Sequence, residues 1–263
     1  MKIYLDETYD NNHTWLIIGG LFNPNHKKFH REIRQLLMKE RCILPTGQLK
    51  EIKYTNCRSS RTRQVFKKII DAFMASDSYF GAVAIKTNDD SYDVHRYGDS
   101  TEPEKIKKER AYRILAEHLL VNEMRDYNNC VLFLDKMTRC DPKHFMGTLK
   151  QNFCIPGNVY SKDSKAPLIK HIQDVVSNAE GYELMGVCDL LQGCILNNLC
   201  PITMDPKKSA RNKNKIREYL VEKLGVDDLT LETWMQNSNK VAPEKRKKFN
   251  IRYVEQVAEK AKK

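Results

Sequence analysis

The sequence predicts an α/β protein: a mixed β-sheet flanked by helices, with a basic helical extension toward the C-terminus. Three observations predict it. Short β-branched and aromatic runs alternate along the chain with longer segments whose apolar residues recur at helical spacing. At 263 residues, with 41% hydrophobic and 30% charged residues, the chain is long enough for one large core and too apolar for disorder. Basic charge gathers in the last quarter.

The opening run, MKIYLDETYD, reads as a strand that ends in Asp6-Glu7, with a polar turn from Tyr9 to Asn12 leading to a second strand over His13 to Phe22. Gly19-Gly20 near the end of that second strand allows a bend or a close approach of backbone. Asn25 to Arg41 carries Phe29, Ile33, Leu36 and Leu37 on one helical face, and Pro45-Thr46-Gly47 breaks it. Leu49 to Tyr54 alternates and predicts a short strand with Glu51 and Lys53 on one side. A helix follows from Ser59 or Ser60 to about Ser76, then a buried strand over Tyr79 to Lys86. Asn88 to Pro103 has no apolar period and reads as a surface insertion whose acids, Asp89, Asp90, Asp93 and Asp99, are solvated. Beyond it come a helix over Glu104 to Asp126, with Ile106, Ala111, Ile114, Leu115 and Leu119 inward, and the run Cys130 to Asp135, which again stops at an acid. Asp141 and Pro142 suit the cap and first turn of a helix to Phe153. Pro167 to Val176 predicts another strand, and Glu183 to Leu199 the most apolar helix of the chain.

The net charge of +11 points to a polyanionic partner. From Pro201 onward sixteen Lys and Arg stand against nine Asp and Glu, an excess of seven. The clusters Arg211-Lys213-Lys215 and Lys245-Arg246-Lys247-Lys248 are what a surface contacting nucleic-acid phosphates needs, whereas Lys260, Lys262 and Lys263 read as a solvated tail. Eight cysteines include no C-x-x-C pair, and no secretory leader is apparent, so neither a disulfide framework nor a structural zinc is expected. His26 and His30 stand four apart on a helix with no further soft ligand nearby and read as a solvated face. No apolar run approaches a membrane span, and the expected compartment is the cytoplasm.

Four carboxylates occupy contexts in which an acid is out of place: Asp6 with its neighbour Glu7, Glu51, Asp135, and Asp189 on the apolar helix. Turn residues or caps account for any one of them taken alone. Convergence on hard divalent cations, Mg²⁺ or Mn²⁺, accounts for all at once, because such ions take oxygen ligands and a pair of them can promote phosphodiester hydrolysis. Lys53 would then stabilise developing charge or touch a phosphate.

The motifs IYLDET, EIK at Glu51 to Lys53, VLFLDK around Asp135, CDLLQGCI around Asp189 and KFNIRY at Lys248 to Tyr253 together resemble the domain-of-unknown-function 3800 family, over residues 1–253. That family has a strand ending in Asp-Glu-Ser, a Glu-x-Lys, a second strand ending in Asp, and a late helix with Gln-x-x-Asp-Leu. The resemblance implies a ribonuclease H-like domain over residues 1–203, with residues 204–263 as a basic extension packed on it. It implies a metal-dependent nuclease, of a kind that fits bacterial or mobile-element defence, with Asp6, Glu51, Asp135 and Asp189 as ligands and Glu7 and Lys53 beside them. Thr8 stands where the family has Ser, and Gly186 where it has Gln. The rival readings are a nucleic-acid-binding module without turnover and a structural subunit whose basic tail docks on an acidic protein.

Overall fold

The computed structural model describes residues 1–10, 14–87, 101–124, 127–136, 142–158, 160, 165–176, 179–201, 208–234 and 240–254. Six strands, β1 (Lys2–Tyr9), β2 (Trp15–Asn23), β3 (Tyr79–Lys86), β4 (Cys130–Asp135), β5 (Ile169–Val175) and β6 (Phe249–Tyr253), form one mixed sheet in the order β5-β4-β1-β2-β3-β6. β1, β2 and β3 pair antiparallel in sequence order, with two helices in the connection between β2 and β3. β4 and β5 extend it in parallel from β1, and β6 joins in parallel at β3.

Helices cover both faces, so the central strands are apolar on both sides. Tyr4, Ile17, Leu21 and Phe133 enter one core with α1 (His26–Lys39), α2 (Ser60–Ala75), α5 (Glu183–Leu199) and α6 (Lys208–Leu224). Ile3, Leu5, Leu16 and Leu134 enter the other with α3 (Glu104–Glu123) and α4 (Pro142–Phe153). Ser59 caps α2 by accepting the Thr62 N–H at 3.1 Å. α3 is rotated from the expected face: Tyr112, Ala116 and Glu117 are buried while Ile106 and Ile114 are half-buried. Its buried acid is satisfied, since Glu117 meets Arg113 at 2.5 Å, Asn152 at 3.1 Å and Tyr160 at 3.2 Å.

Four expectations are corrected. β1 does not end at Asp6-Glu7 but runs to Tyr9, because β2 offers pairing partners as far as Leu16. Leu49 to Tyr54 is no strand: Leu49 bridges Ile43, the Lys50 N–H bonds the Cys42 carbonyl at 2.8 Å, and the chain then runs outside any strand into a 3₁₀ turn at Tyr54–Asn56. The alternation was nonetheless meaningful, because Ile52 and Tyr54 are buried while Glu51 is half-buried and Lys53 exposed. His26 and His30 are not solvated. They stack at 5.1 Å, His26 meets Lys2 and Tyr4, and His30 meets Glu183 at 2.5 Å. Burial, with Lys2 next, pushes the His26 imidazole down to about 4, so it is neutral at pH 7.

The fourth correction concerns the C-terminal extension, which is helical in α6, α7 (Leu231–Trp234) and α8 (Pro243–Lys248) but also supplies β6. Phe249 and Ile251 alternate into the core, and Phe249 stacks on Phe80 at 5.0 Å. The chain's own groups occupy three of the four cations at 245–248. Lys245 donates to the Gly225 carbonyl at 2.6 Å, Arg246 to that of Trp234 at 3.0 Å, and Lys248 to those of Ser76 and Ser78. Only Lys247 of the four is exposed.

α1 ends in an unusual way. The Arg41 N–H bonds the Met38 carbonyl at 3.0 Å and the Cys42 N–H bonds that of Leu37 at 2.8 Å, the paired bonds of a Schellman motif. The residue that turns the chain there, Arg41, holds φ at 55°, where glycine is the default and a side chain costs about 1 kcal/mol.

The insertion acids Asp89, Asp90, Asp93 and Asp99, the helix-start Asp141, and Lys260, Lys262 and Lys263 lie outside the described residues. The seven described cysteines are free, and no described helix is long and apolar enough to cross a membrane.

Candidate functional site

The parallel ladder between β1 and β4 ends at the pair Leu5 and Leu134, so the next residues, Asp6 and Asp135, stand level at the end of that ladder. Strand alternation gives both the face of Tyr4 and Phe133, whose rings stack at 5.1 Å. On the β2 side Asp6 pairs with Gly19. A Cβ at Gly19 would lie 2.6 Å from Gln192 Cγ, so the bare glycine is what lets α5 settle here. Gln192 Nε2 donates to the Asp6 main-chain carbonyl at 2.7 Å, and Cys188 Sγ meets the Gly19 carbonyl at 3.5 Å.

One turn before Gln192, α5 carries Asp189. Its position is set by the extended segment over residues 51–54, which lies along the helix like a strap. A Cβ at Gly186 would meet the Ile52 carbonyl oxygen at 2.4 Å, and one at Gly193 would meet the Tyr54 side chain at 2.2 Å. Two glycines seven apart fall on one helical face, and the strap occupies both notches. Between them Asp189 Oδ2 accepts the Tyr54 N–H at 2.6 Å. The Tyr54 hydroxyl is fixed in turn, donating to the Lys213 carbonyl at 3.0 Å and accepting from Asn197 at 2.8 Å. The strap therefore carries Glu51 and Lys53 to Asp189.

The acids share one field. Burial, then the charges of Glu7, Asp189 and Asp135, hold the Asp6 carboxyl well above the usual carboxylate range, against one N–H from Glu7 at 2.9 Å. Burial pushes Asp189 up to about 6, with Glu51 and Asp135 adding to the rise and the Tyr54 N–H and Lys53 opposing it. Asp6, Glu51, Asp135 and Asp189 are thus brought together with Lys53. Glu7 is not, because the next position along β1 projects to the α3 face; its charge is still felt by Asp6. Among the described residues no three His, Cys, Asp or Glu side chains stand around one point as a set of metal ligands. The carboxylates repel one another, opposed in part by the Tyr54 N–H and Lys53 at Asp189 and by the Glu7 N–H at Asp6.

Gly19, Gly186, Gly193 and Gln192 are supporting residues that charge patterning does not reveal. The seven-residue spacing of two glycines in an apolar helix was a visible signal of close approach; the Gln192 contact had none. Gly19→Ala should drive Gln192 off Asp6 and cost about 2 kcal/mol in urea unfolding, and adding Gln192→Ala should recover part of that loss. No recovery in the double variant would mean the glycine is required by the sheet itself.

Compared with known protein families, with curated proteins and with solved structures, the chain finds no match, and the site stands on its own geometry.

Proposed function

We propose that the chain is a nuclease that hydrolyses nucleic-acid phosphodiester bonds with Mg²⁺ or Mn²⁺, on a ribonuclease H-like sheet related to the domain-of-unknown-function 3800 family. The observation that carries this reading is the level pair Asp6 and Asp135 on adjacent parallel strands, with Asp189 on the helix packed over them and each acid disfavouring ionisation of another. A cluster that resists its own negative charge gains most from a bound cation. Its donors are carboxylate oxygens with no thiolate or imidazole among them, the chemistry of a hard divalent ion. Asp6, Glu51, Asp135 and Asp189 would hold it. Such an ion supplies an activated water and neutralises the leaving oxygen of a phosphodiester.

The sheet supports the reading in its coarser part, since it is mixed and carries helices on both faces, as the resemblance implies. The chain's own residues do the rest. Tyr54 fixes one oxygen of Asp189, leaving its other oxygen for the site. Lys53 is exposed beside that acid and can meet a phosphate oxygen without being taken from an internal partner. Arg211 and Lys215 are exposed on α6, and Lys213 lies 6.0 Å over the Tyr54 ring, so this helix carries basic groups beside the strap. Phosphate contact in the extension falls to these three and Lys247, since Lys245, Arg246 and Lys248 serve the fold.

Thermal unfolding with and without Mn²⁺ tests the reading, with labelled single- and double-stranded DNA and RNA assayed in parallel. Mn²⁺ is expected to raise the wild-type Tm by several degrees and to support cleavage, and Asp6→Asn to lose both responses. A wild type indifferent to Mn²⁺ and Mg²⁺ in both measurements would leave a binding module.

A further inference from the structure

A cavity of about 620 Å³ opens between the segment after α1 and the first turns of α2. Its floor is apolar, built on the buried side chains of Ile52, Val65 and Phe66. Its rim is cationic: Arg41, Lys50, Arg58 and Arg61 line it and are exposed, and Glu51 is the one acid among the lining residues. An apolar floor beneath four cations suits an anion with an apolar ring, and the volume falls in the range of a ligand rather than of a packing defect. A fatty or lipid anion would need only these two properties. Here Gln48 and Asn56 add side-chain amides to the lining, which can pair with the edge of a base.

Two features mark the rim as built to receive a ligand. The side chains of Arg41, Lys50 and Arg58 make no hydrogen bond or ion pair among the described residues, while Arg61 is held by the Glu40 carbonyl at 2.9 Å. Arg41 also occupies the left-handed position that closes α1, where glycine would be less strained. That turn fixes where this cation stands on the rim. The cavity shares a wall with the acidic cluster, because Glu51 and Ile52 of the strap line the one and border the other.

We infer that this cavity receives one unstacked nucleotide of a single-stranded nucleic acid, base on the apolar floor and phosphates against Arg41, Lys50, Arg58 and Arg61, with the strand continuing across the strap to Asp189. This rests on the nuclease reading for its direction of travel. The cavity's concavity selects single strands, since a base must leave its stack to enter.

The test is fluorescence anisotropy of a labelled ten-nucleotide single strand in EDTA, where no metal-dependent turnover occurs. The full-length wild type is expected to bind it more tightly than the matching duplex, with competition by nucleoside monophosphates but not by inorganic phosphate at equal concentration. Arg58→Ser with Arg61→Ser, and separately Thr62→Trp at the rim, should each weaken binding ~10-fold, the first also with a shallower salt dependence. Arg41→Gly should weaken binding while raising the Tm, a combination that misfolding cannot produce. Variants that bind like wild type, or competition by phosphate alone, would overturn the proposal. The outcomes separate from those of the nuclease reading: pocket variants that lose binding in a wild type that never cleaves leave the pocket and remove the nuclease. Cleavage that survives with unaltered binding in every pocket variant does the reverse.

Discussion

Asp189→Asn should abolish metal-dependent cleavage and at the same time make the metal-free protein more stable above pH 6. The carboxyl of Asp189 has its pKa near 6 in the folded protein because it is packed between α5 and the strap and faces other acids. In the unfolded chain it returns to the ordinary Asp value of about 3.9. Between those values the folded state keeps a proton that the unfolded state releases, so stability is full below the lower value and falls as pH rises through the upper one. A shift of about two units corresponds to an upper figure of ~3 kcal/mol lost by pH 8. The Asn variant has no such loss and can still accept the Tyr54 N–H through its amide oxygen. Urea unfolding in EDTA at pH 4.5 and pH 8 should therefore show the variant's advantage growing with pH, while its cleavage rate drops roughly 10³-fold or more. An Asn variant that cleaves at the wild-type rate would reduce Asp189 to a buried structural acid, and with it the case for catalysis.

Gly193→Ala should be among the most damaging methyl groups that can be added to this chain. The new Cβ would fall 2.2 Å from Tyr54 Cγ and 2.5 Å from Tyr54 Cβ, the root of the ring rather than its movable end. Overpacking of this kind costs about 3 kcal/mol, against a helix-propensity gain of ~1 kcal/mol, for a net Tm fall of about 5 °C. Gly186→Ala meets a backbone carbonyl and should behave alike. Gly147→Ala in α4, where nothing lies within 4 Å, is the control, and should be neutral or slightly stabilising. Because the strap holds Glu51 and Lys53, both damaging variants should also lose metal-induced stabilisation at temperatures where they remain folded. A folded Gly193→Ala protein with an unchanged Mn²⁺ response would show that the strap does not organise the acids.

Much of the framework was readable because burial on both faces leaves its mark locally. β3, β4 and α5 have the bounds that their apolar runs suggest, since each run is ended by a charge, a turn or a helix-breaking sequence within itself. β1 runs past its expected end because its last residues owe their strand conformation to β2, whose partners stand seven to eleven residues away, and not to their own alternation. The segment 49–54 was read as a strand from an alternation that is real but is imposed by a helix rather than by a neighbouring strand. Of the candidate acids, Asp6, Glu51, Asp135 and Asp189 are legible as misfits; Asp6 feels the charges of Asp135 and Asp189, and Asp189 that of Glu51, while among the described residues no three surround one point. Glu7 was swept in by adjacency, although period-two geometry sends it the other way. The lysines at 245 and 248 could not be read as internal ligands of carbonyls, because charge runs look alike whether they face water or the chain's own backbone.

The last strand of the sheet has a consequence for the protein's synthesis. β6 is the partner of the outer edge of β3, yet some 160 residues separate them, and translation at roughly 5–20 residues per second leaves that edge bare for about ten seconds or more. The bare edge is YFGAVAIK, apolar and free of proline, a sequence that pairs readily with any extended chain it meets. A message cut short before the codon for Phe249 would yield a polypeptide with the other five strands but without Phe249 and Ile251 in the core and unable to shield this edge. Such a fragment is expected to co-aggregate with copies that carry β6, so the stretch that encodes this strand guards the sheet edge against association.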